Sequence, residues 1–308
     1  MCGIVGLYAK SPEIEQEMGA HLAAMLVTMS DRGPDSAGFA IYRDPQAGSE
    51  KVVVQSPDPE ADFPGLMTDL EGAGLSLEGM EAIATHAILR LSAGQTEALR
   101  ETLSEIRPDC RVMSRGNAIE IYKEVGLPGD VATRFGLGQM RGTHAVGHTR
   151  MATESAVTTL GAHPFSTAPD QCLVHNGSMS NHNNMRRVLT RAGRRIETEN
   201  DTEVAAAYLS WRMAEGRNLG EALEDGLSDY DGFYTFLVGT ETGFGVLRDP
   251  IACKPAVMAE TEAYVAFGSE YRALVSLPGI ETARVWEPEP ATVYFWTHDT
   301  PAPTREAA

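Results

Sequence analysis

Long apolar runs are missing from this 308-residue chain: none approaches the ~20 residues that a bilayer-spanning helix needs, so no membrane segment is expected. Cysteine is scarce too. The four present, Cys2, Cys110, Cys172 and Cys253, include no CxxC pair and follow no secretory leader, which argues against a disulfide scaffold and for reduced thiols in a cytoplasm. Positive charge is also short: 25 Lys and Arg against 43 Asp and Glu leave a net charge of −18, which opposes a nucleic-acid backbone. The one local surplus, Arg186, Arg187, Arg191, Arg194 and Arg195, reads as a single basic helix face that suits docking. A GxxxxGK phosphate loop, an internal repeat and a low-complexity block are all lacking.

What is present is enough apolar residue, 43%, for one large or two ordinary domains. Residues 3–8 read as a buried strand, and Ser11-Pro12 then offers a helix N-cap followed by proline. Ile14, Met18, Leu22, Met25 and Met29, three or four apart, form one core-facing stripe of a helix stopped by Asp31-Arg32-Gly33-Pro34. Residues 37–42 and 51–55 read as paired strands. From about 56 to 142 the pattern changes, with a strand at 82–91, a helix at 95–106 and strands at 111–114 and 118–125, which together suggest an inserted β-α-β-β-like subdomain. Strands return at 143–151 and 171–175, helices follow from Ser180, Asp201 and Asn218, and strands resume at 233–239, 243–248, 255–259 and 264–267. The tail from 298 to 308 reads as frayed.

The chemistry begins at Cys2. Removal of Met1 would leave a first residue carrying both a thiol (pKa about 8.5) and an α-amino group (about 7.7 to 8.0), so nucleophile and proton carrier would be one residue. A cysteine entering a strand can equally be a small apolar residue. Four segments weigh against that: Cys2-Gly3-Ile4-Val5-Gly6, Arg32-Gly33-Pro34-Asp35-Ser36-Ala37-Gly38, His148-Thr149-Arg150-Met151-Ala152-Thr153 and Val174-His175-Asn176-Gly177. With Asn200-Asp201-Thr202-Glu203-Val204 in the same order, they resemble the class II glutamine amidotransferases, over roughly 1–55 and 143–275.

That resemblance implies an N-terminal nucleophile hydrolase fold, an α+β four-layer αββα sandwich spanning 2–297, in which the cysteine cleaves the side-chain amide of glutamine. By resemblance, Cys2 is the catalytic nucleophile, and the Asn176 side chain with the Gly177 N–H forms the oxyanion hole. On residue type alone Asn176-Gly177 reads as a tight turn. Glutamine brings a carboxylate and an ammonium, which Arg150 and Asp201 suit; otherwise these read as a strand-end ion pair and a helix N-cap. Thr153 and His163 are carried over as substrate lining, and Arg32 as structural support of the catalytic N-terminus. Met151 and Glu154 depart from the family, where several relatives have an aromatic residue and a histidine.

His144 and His148, four apart, with His163 and His175, invite a metal reading, but no acidic base stands between the pair and no cysteine pair accompanies it, so no metal is expected. Ammonia needs an acceptor domain, and about thirty residues after the last matching segment are too few for one. The form His-Asn-Gly-Ser-Met-Ser-Asn and the insertion resemble the stand-alone amidotransferase subunits of glutamate-synthase-like systems, including the small subunit of N-methylglutamate synthase and the GlxB group. The resemblance implies glutamine as substrate and a partner subunit that uses the ammonia. FMN and iron-sulfur clusters then belong to that partner, with no cofactor in this chain. Two alternatives remain open: a stand-alone amidase acting on another γ-glutamyl amide, and a non-catalytic amino-acid-binding regulatory subunit.

Overall fold

The computed structural model describes residues 2–45, 48–152 and 156–298. Strand β1 (Gly3–Ala9) is buried on both faces, as its unbroken apolar run requires. It lies between β8 (His144–Arg150) and β14 (Tyr264–Gly268) in a seven-stranded sheet completed by β2 (Ser36–Tyr42), β7 (Ile119–Val125), β13 (Val257–Glu260) and β15 (Arg284–Trp286). The order is β15-β13-β14-β1-β8-β2-β7, and the β1, β2, β8 and β14 pairings are antiparallel. A five-stranded sheet faces it, with order β16-β12-β11-β10-β9 from β9 (Phe165–Ala168), β10 (Gln171–Met179), β11 (Gly232–Thr240), β12 (Gly243–Arg248) and β16 (Val293–Thr297).

Alternation along β1 divides its side chains between two layers. Tyr8 meets Phe244 of the facing sheet edge to face, and a Cβ at Gly6 would fall 2.5 Å from the Leu237 side chain. Gly6 is therefore the position that lets the sheets close. On the other face α2 (Met18–Thr28) packs on β1 and β8, and α6 (Pro128–Arg134) packs on β2. Beyond the second sheet, α8 (Asp201–Ala214) covers β9 and β10, α7 (His182–Arg191) packs against α8, and α9 (Leu219–Asp229) covers β12 and β16. The layers are αββα, as expected from the sequence.

Several local expectations are corrected. Residues 37–42 and 51–55 do not pair: β2 pairs with β7 and β8, whereas β3 (Ser49–Gln55) joins a separate four-stranded sheet, β4-β5-β3-β6. Its other strands are β4 (Leu77–Ile83), β5 (His86–Ser92) and β6 (Arg111–Gly116). The single strand read at 82–91 is a hairpin, turning where Ala84 takes φ +52°. The separate core of this sheet is covered by α4 (Leu66–Gly72) and α5 (Thr96–Ile106), with the short α3 (Pro59–Asp62) leading into it at Phe63. Strand β7 and α6, read as insertion, belong to the main layers, because Phe39, Tyr122 and Phe135 pack together. The first helix breaks at Glu17 into α1 (Pro12–Gln16) and α2, yet the whole Met stripe is buried. Only Arg186, Arg187 and Arg191 of the basic cluster stand on α7; Arg194 and Arg195 lie in the loop after it. Among the described residues no helix is long and apolar enough to cross a membrane.

Candidate active site

Cys2 is half-buried and directly precedes β1 at the centre of the larger sheet. Its carbonyl oxygen accepts from Arg32 Nε at 3.0 Å and from Asn176 Nδ2 at 3.3 Å. The next turn of chain is anchored as firmly: Ile4 N donates to Ser269 Oγ at 2.9 Å and Ser269 N to Ile4 O at 2.9 Å. Arg32 also donates through Nη1 to Glu270, which accepts from Arg272 Nε at 2.6 Å, and Arg272 grips Asp31 through two bonds of 2.8 and 2.9 Å. Burial pushes the Glu270 carboxyl up, but the hydrogen bonds from Arg32 and Arg272 outweigh it and hold the pKa below the usual range. The turn bearing Arg32 lies against β8 so closely that a Cβ on Gly33 would come within 2.3 Å of the Thr149 carbonyl carbon.

Strand register brings Arg150 to the same end. Gly3 pairs with Thr149, so Cys2 and Arg150 follow at the adjoining ends of neighbouring strands. Arg150 is 6% exposed, its Nη1 donates to Ala156 O at 3.3 Å, and its carbonyl accepts from Asp35 N at 3.1 Å. Asp35 in turn accepts from Ala152 N at 2.8 Å, fixing where the chain leaves β8. Thr153 lies outside the described residues.

Asn176-Gly177 is not a turn. Both residues lie inside β10, paired with Thr235 and Tyr234 of β11, while β9 accompanies β10 only as far as Leu173. Gly177 has φ +147°, and a Cβ there would fall 2.0 Å from Phe233 O, so both conformation and space demand glycine. The strand continues through Met179, whose N–H donates to Asp201 Oδ2 at 3.0 Å.

Asp201 is the first residue of α8, and the N-cap expected of it is Asn200, whose side chain accepts from Thr202 N at 2.9 Å. Freed from capping, the Asp201 carboxylate faces His175 Nδ1 at 3.6 Å. Burial raises its pKa, but the hydrogen bond and charge of His175, with the Met179 N–H, bring it down to about 2.

Behind this carboxylate two imidazoles meet at Thr202, with a third stacked on one of them. His163 Nε2 and His175 Nδ1 lie 3.3 and 3.1 Å from Thr202 Oγ1, and His175 N donates to His163 Nδ1 at 3.4 Å. His148 stacks on His163 with ring centroids 4.0 Å apart, and its Nε2 must carry the proton it donates to His175 O at 3.0 Å. Burial lowers the pKa of His148 to about 3 and that of His163 well below its ordinary value, so both rings are neutral. His163 is thus placed behind Asp201, with both nitrogens engaged. His144, the fourth histidine of the metal reading, stacks on Tyr42 in the core, where its Nε2 donates to Thr240 O at 2.7 Å and its Nδ1 meets Thr143 Oγ1 at 3.0 Å. Among the described residues no three His, Cys, Asp or Glu side chains cluster to hold a metal ion.

Cys2, Arg32, Asn176 and Gly177 therefore come together directly, Arg150 joins them by register, and Asp201 joins through Met179. Sequence reasoning missed Ser269, Glu270, Asp35 and Thr202. Ser269-Glu270 follows β14 immediately, and a pairing of β14 with β1 would have placed them at Cys2; nothing local in the sequence announces that pairing.

Residues 137–306 match a family model described as "Glutamine amidotransferase domain". The chain is 62% identical over 298 residues to the "Glutamine amidotransferase-like protein GlxB" of Rhizobium meliloti (strain 1021), covering 97% of this chain and 99% of that one. It is 34% identical over 310 residues to a "Putative glutamine amidotransferase" of Methanothermobacter thermautotrophicus, covering 95% and 98%. Among solved structures, the glutamine phosphoribosylpyrophosphate amidotransferase from B. subtilis, complexed with ADP and GMP, superposes with a TM-score of 0.61 at 19% identity. That match covers 97% of this chain and 48% of the other, so the chain spans about half the length of that structure and shares its fold.

Proposed function

The chain belongs to the class II glutamine amidotransferase family of enzymes, and from that premise we propose that, once Met1 is removed, Cys2 hydrolyses the side-chain amide of glutamine and ammonia passes to a glutamate-synthase-like partner subunit. The observation that carries the reading is the convergence of Arg32 and Asn176 on the Cys2 carbonyl, which fixes the nucleophile-bearing residue beside an amide donor.

The thiol sulfur attacks the amide carbon while the α-amino group takes the thiol proton. The oxyanion that forms accepts from Asn176 Nδ2 and from the Gly177 N–H, preorganised because β10 cannot relax around a glycine so closely packed. Collapse breaks the carbon–nitrogen bond, the ammonium returns the proton to the leaving nitrogen, and ammonia departs, leaving a thioester. Water then attacks the thioester with the amine as base, releasing glutamate and the free thiol. Arg150 binds the substrate carboxylate and Asp201, ionised throughout the physiological range, binds its ammonium. Thr153 is proposed as a further contact, and His163 orients Asp201 through Thr202. Arg32 anchors Cys2 through its carbonyl oxygen.

This chemistry calls on no cofactor in this chain; FMN and iron-sulfur clusters are assigned to the partner. Glutamine labelled with 15N in the amide, supplied to the processed chain with its partner, tests the proposal. It predicts glutamate release and 15N in the partner's product, both abolished by Cys2→Ala; turnover unaffected by that substitution would sink it.

A further inference from the structure

A cavity of about 300 Å3 lies where the four-stranded sheet meets α8, lined by none of Cys2, Arg32, Arg150, Asn176, Gly177 or Asp201. Five basic side chains line it: Arg100 of α5, Arg115 of β6, Lys123 of β7, and Arg194 and Arg195 of the loop after α7. In a chain of net charge −18 such a gathering of cations is a local reversal of sign.

The three acids of the lining do not cancel it. Glu203 is occupied by the backbone of its own loop, accepting from Glu197 N at 2.7 Å and from Thr198 N and Oγ1 at 2.6 Å each. Glu197 is shared between Arg195 at 2.7 Å and Arg100 at 3.3 Å, and Glu97, 70% exposed, reaches Arg100 only at 3.9 Å. Arg115 leans on Glu50 at 3.5 Å. Arg194 makes no ion pair among the described residues, and its Nε is buried without a hydrogen-bond partner. Lys123, 4% exposed, sits over the Phe165 ring and donates to the carbonyls of Ala162, Leu160 and Pro164 at 2.8, 3.2 and 3.3 Å; it makes no ion pair among the described residues, and burial lowers its pKa to about 7 although Glu203 and Glu197 favour its charged form through space. An anion in the cavity would favour the charged form of Lys123 and offset the unpaired charge of Arg194.

We propose that this cavity binds a small organic anion bearing carboxylate or phosphate groups, at a site separate from Cys2. The volume suits a ligand of metabolite size, at the small end of the usual range. The two loops that frame it run into the candidate active site, since Leu160 precedes His163 by three residues and Thr198 precedes Asp201 by three. An anion held there bears on both, which gives the site a physical route to the glutamine subsite.

Calorimetric titration of the intact protein with inorganic phosphate and with succinate, at ionic strength held constant with chloride, tests the site. At least one probe is expected to bind saturably, to bind undiminished in Cys2→Ala and Arg150→Gln, and to weaken tenfold or more in both Arg194→Gln and Arg115→Gln. Phosphate alone would point to a phosphorylated ligand, succinate alone to a carboxylate. Three results overturn the proposal: saturable binding of neither probe, binding that survives both of those arginine substitutions, or binding lost in Arg150→Gln, which would put the anion at the glutamine subsite.

Discussion

Arg32 and Glu270 lie 238 residues apart in sequence and share a hydrogen bond beside Cys2, so the end of β14 holds the turn that holds Cys2. Through this pair the site is braced from two directions, one from the loop after α2 and one from the strand that neighbours β1. Glu270→Gln keeps the shape and removes the charge. Its expected effect is a fall in kcat of about tenfold, worth about 1.4 kcal/mol in the transition state, with little change in KM or in the thermal midpoint. An unchanged kcat would show the ion pair to be passive.

Asn176 carries a heavier expectation. If its amide receives the oxyanion, Asn176→Ala lowers kcat by about 10²–10³-fold while KM moves little, as for other oxyanion donors. A comparable rise in KM with kcat intact would assign the side chain to ground-state binding instead.

Gly177→Ala separates packing from chemistry. The added methyl meets Phe233 O and must adopt φ +147°, so a loss of stability of about 2 kcal/mol or more is expected in chemical denaturation. Unaltered stability would mean that β10 moves away from β11 more easily than the close contact implies.

Arg150 and Asp201 should act on binding. Arg150→Lys removes the two-pronged grip on a carboxylate, and Asp201→Asn removes the counter-charge to an ammonium; each is expected to raise KM for glutamine ten- to a hundredfold and kcat much less. Initial-rate kinetics across glutamine concentration decide it, and an effect confined to kcat would contradict these roles.

Buried neutral histidines predict an acid-sensitive fold. His86, His144 and His148 are lowered to about 3 and His163 well below its ordinary value, in each case chiefly by burial. The unfolded chain binds protons on these groups below its ordinary pKa near 6.5 while the folded chain does not, so their contribution is complete above that value and lost as pH falls toward 3. Each contributes a slope of about 1.4 kcal/mol per pH unit in that window. Denaturant midpoints measured from pH 7 to pH 4 should fall steeply, and less steeply in His144→Gln; a flat profile would refute the assignment of neutral rings.

The sequence was legible where one segment carried its own signal. Burial of β1 on both faces, the Met stripe of α1 and α2, and the Cys2, Arg32, Arg150 and Asn176 motifs could all be read in order along the chain, and the sandwich followed from the family resemblance those motifs carry. Pairing between distant strands could not. Nothing near Ser36 says that β2 pairs with β7 rather than β3, and nothing near Ser269 says that it bonds Ile4, because these contacts are set by the closure of a sheet across more than eighty residues. Asn176-Gly177 was ambiguous for a local reason: the pair suits a turn, and only the contact with Phe233 O shows why a strand needs the same glycine.

The most direct test of the account is the intact mass of the protein after incubation with the glutamine-analogue electrophile 6-diazo-5-oxonorleucine. Loss of Met1 with a single adduct mapped to Cys2, suppressed by excess glutamine and absent in Cys2→Ala, is the predicted result. A fully processed chain that stays unlabelled with its partner present, or an adduct that maps to Cys253 and persists in Cys2→Ala, would contradict it.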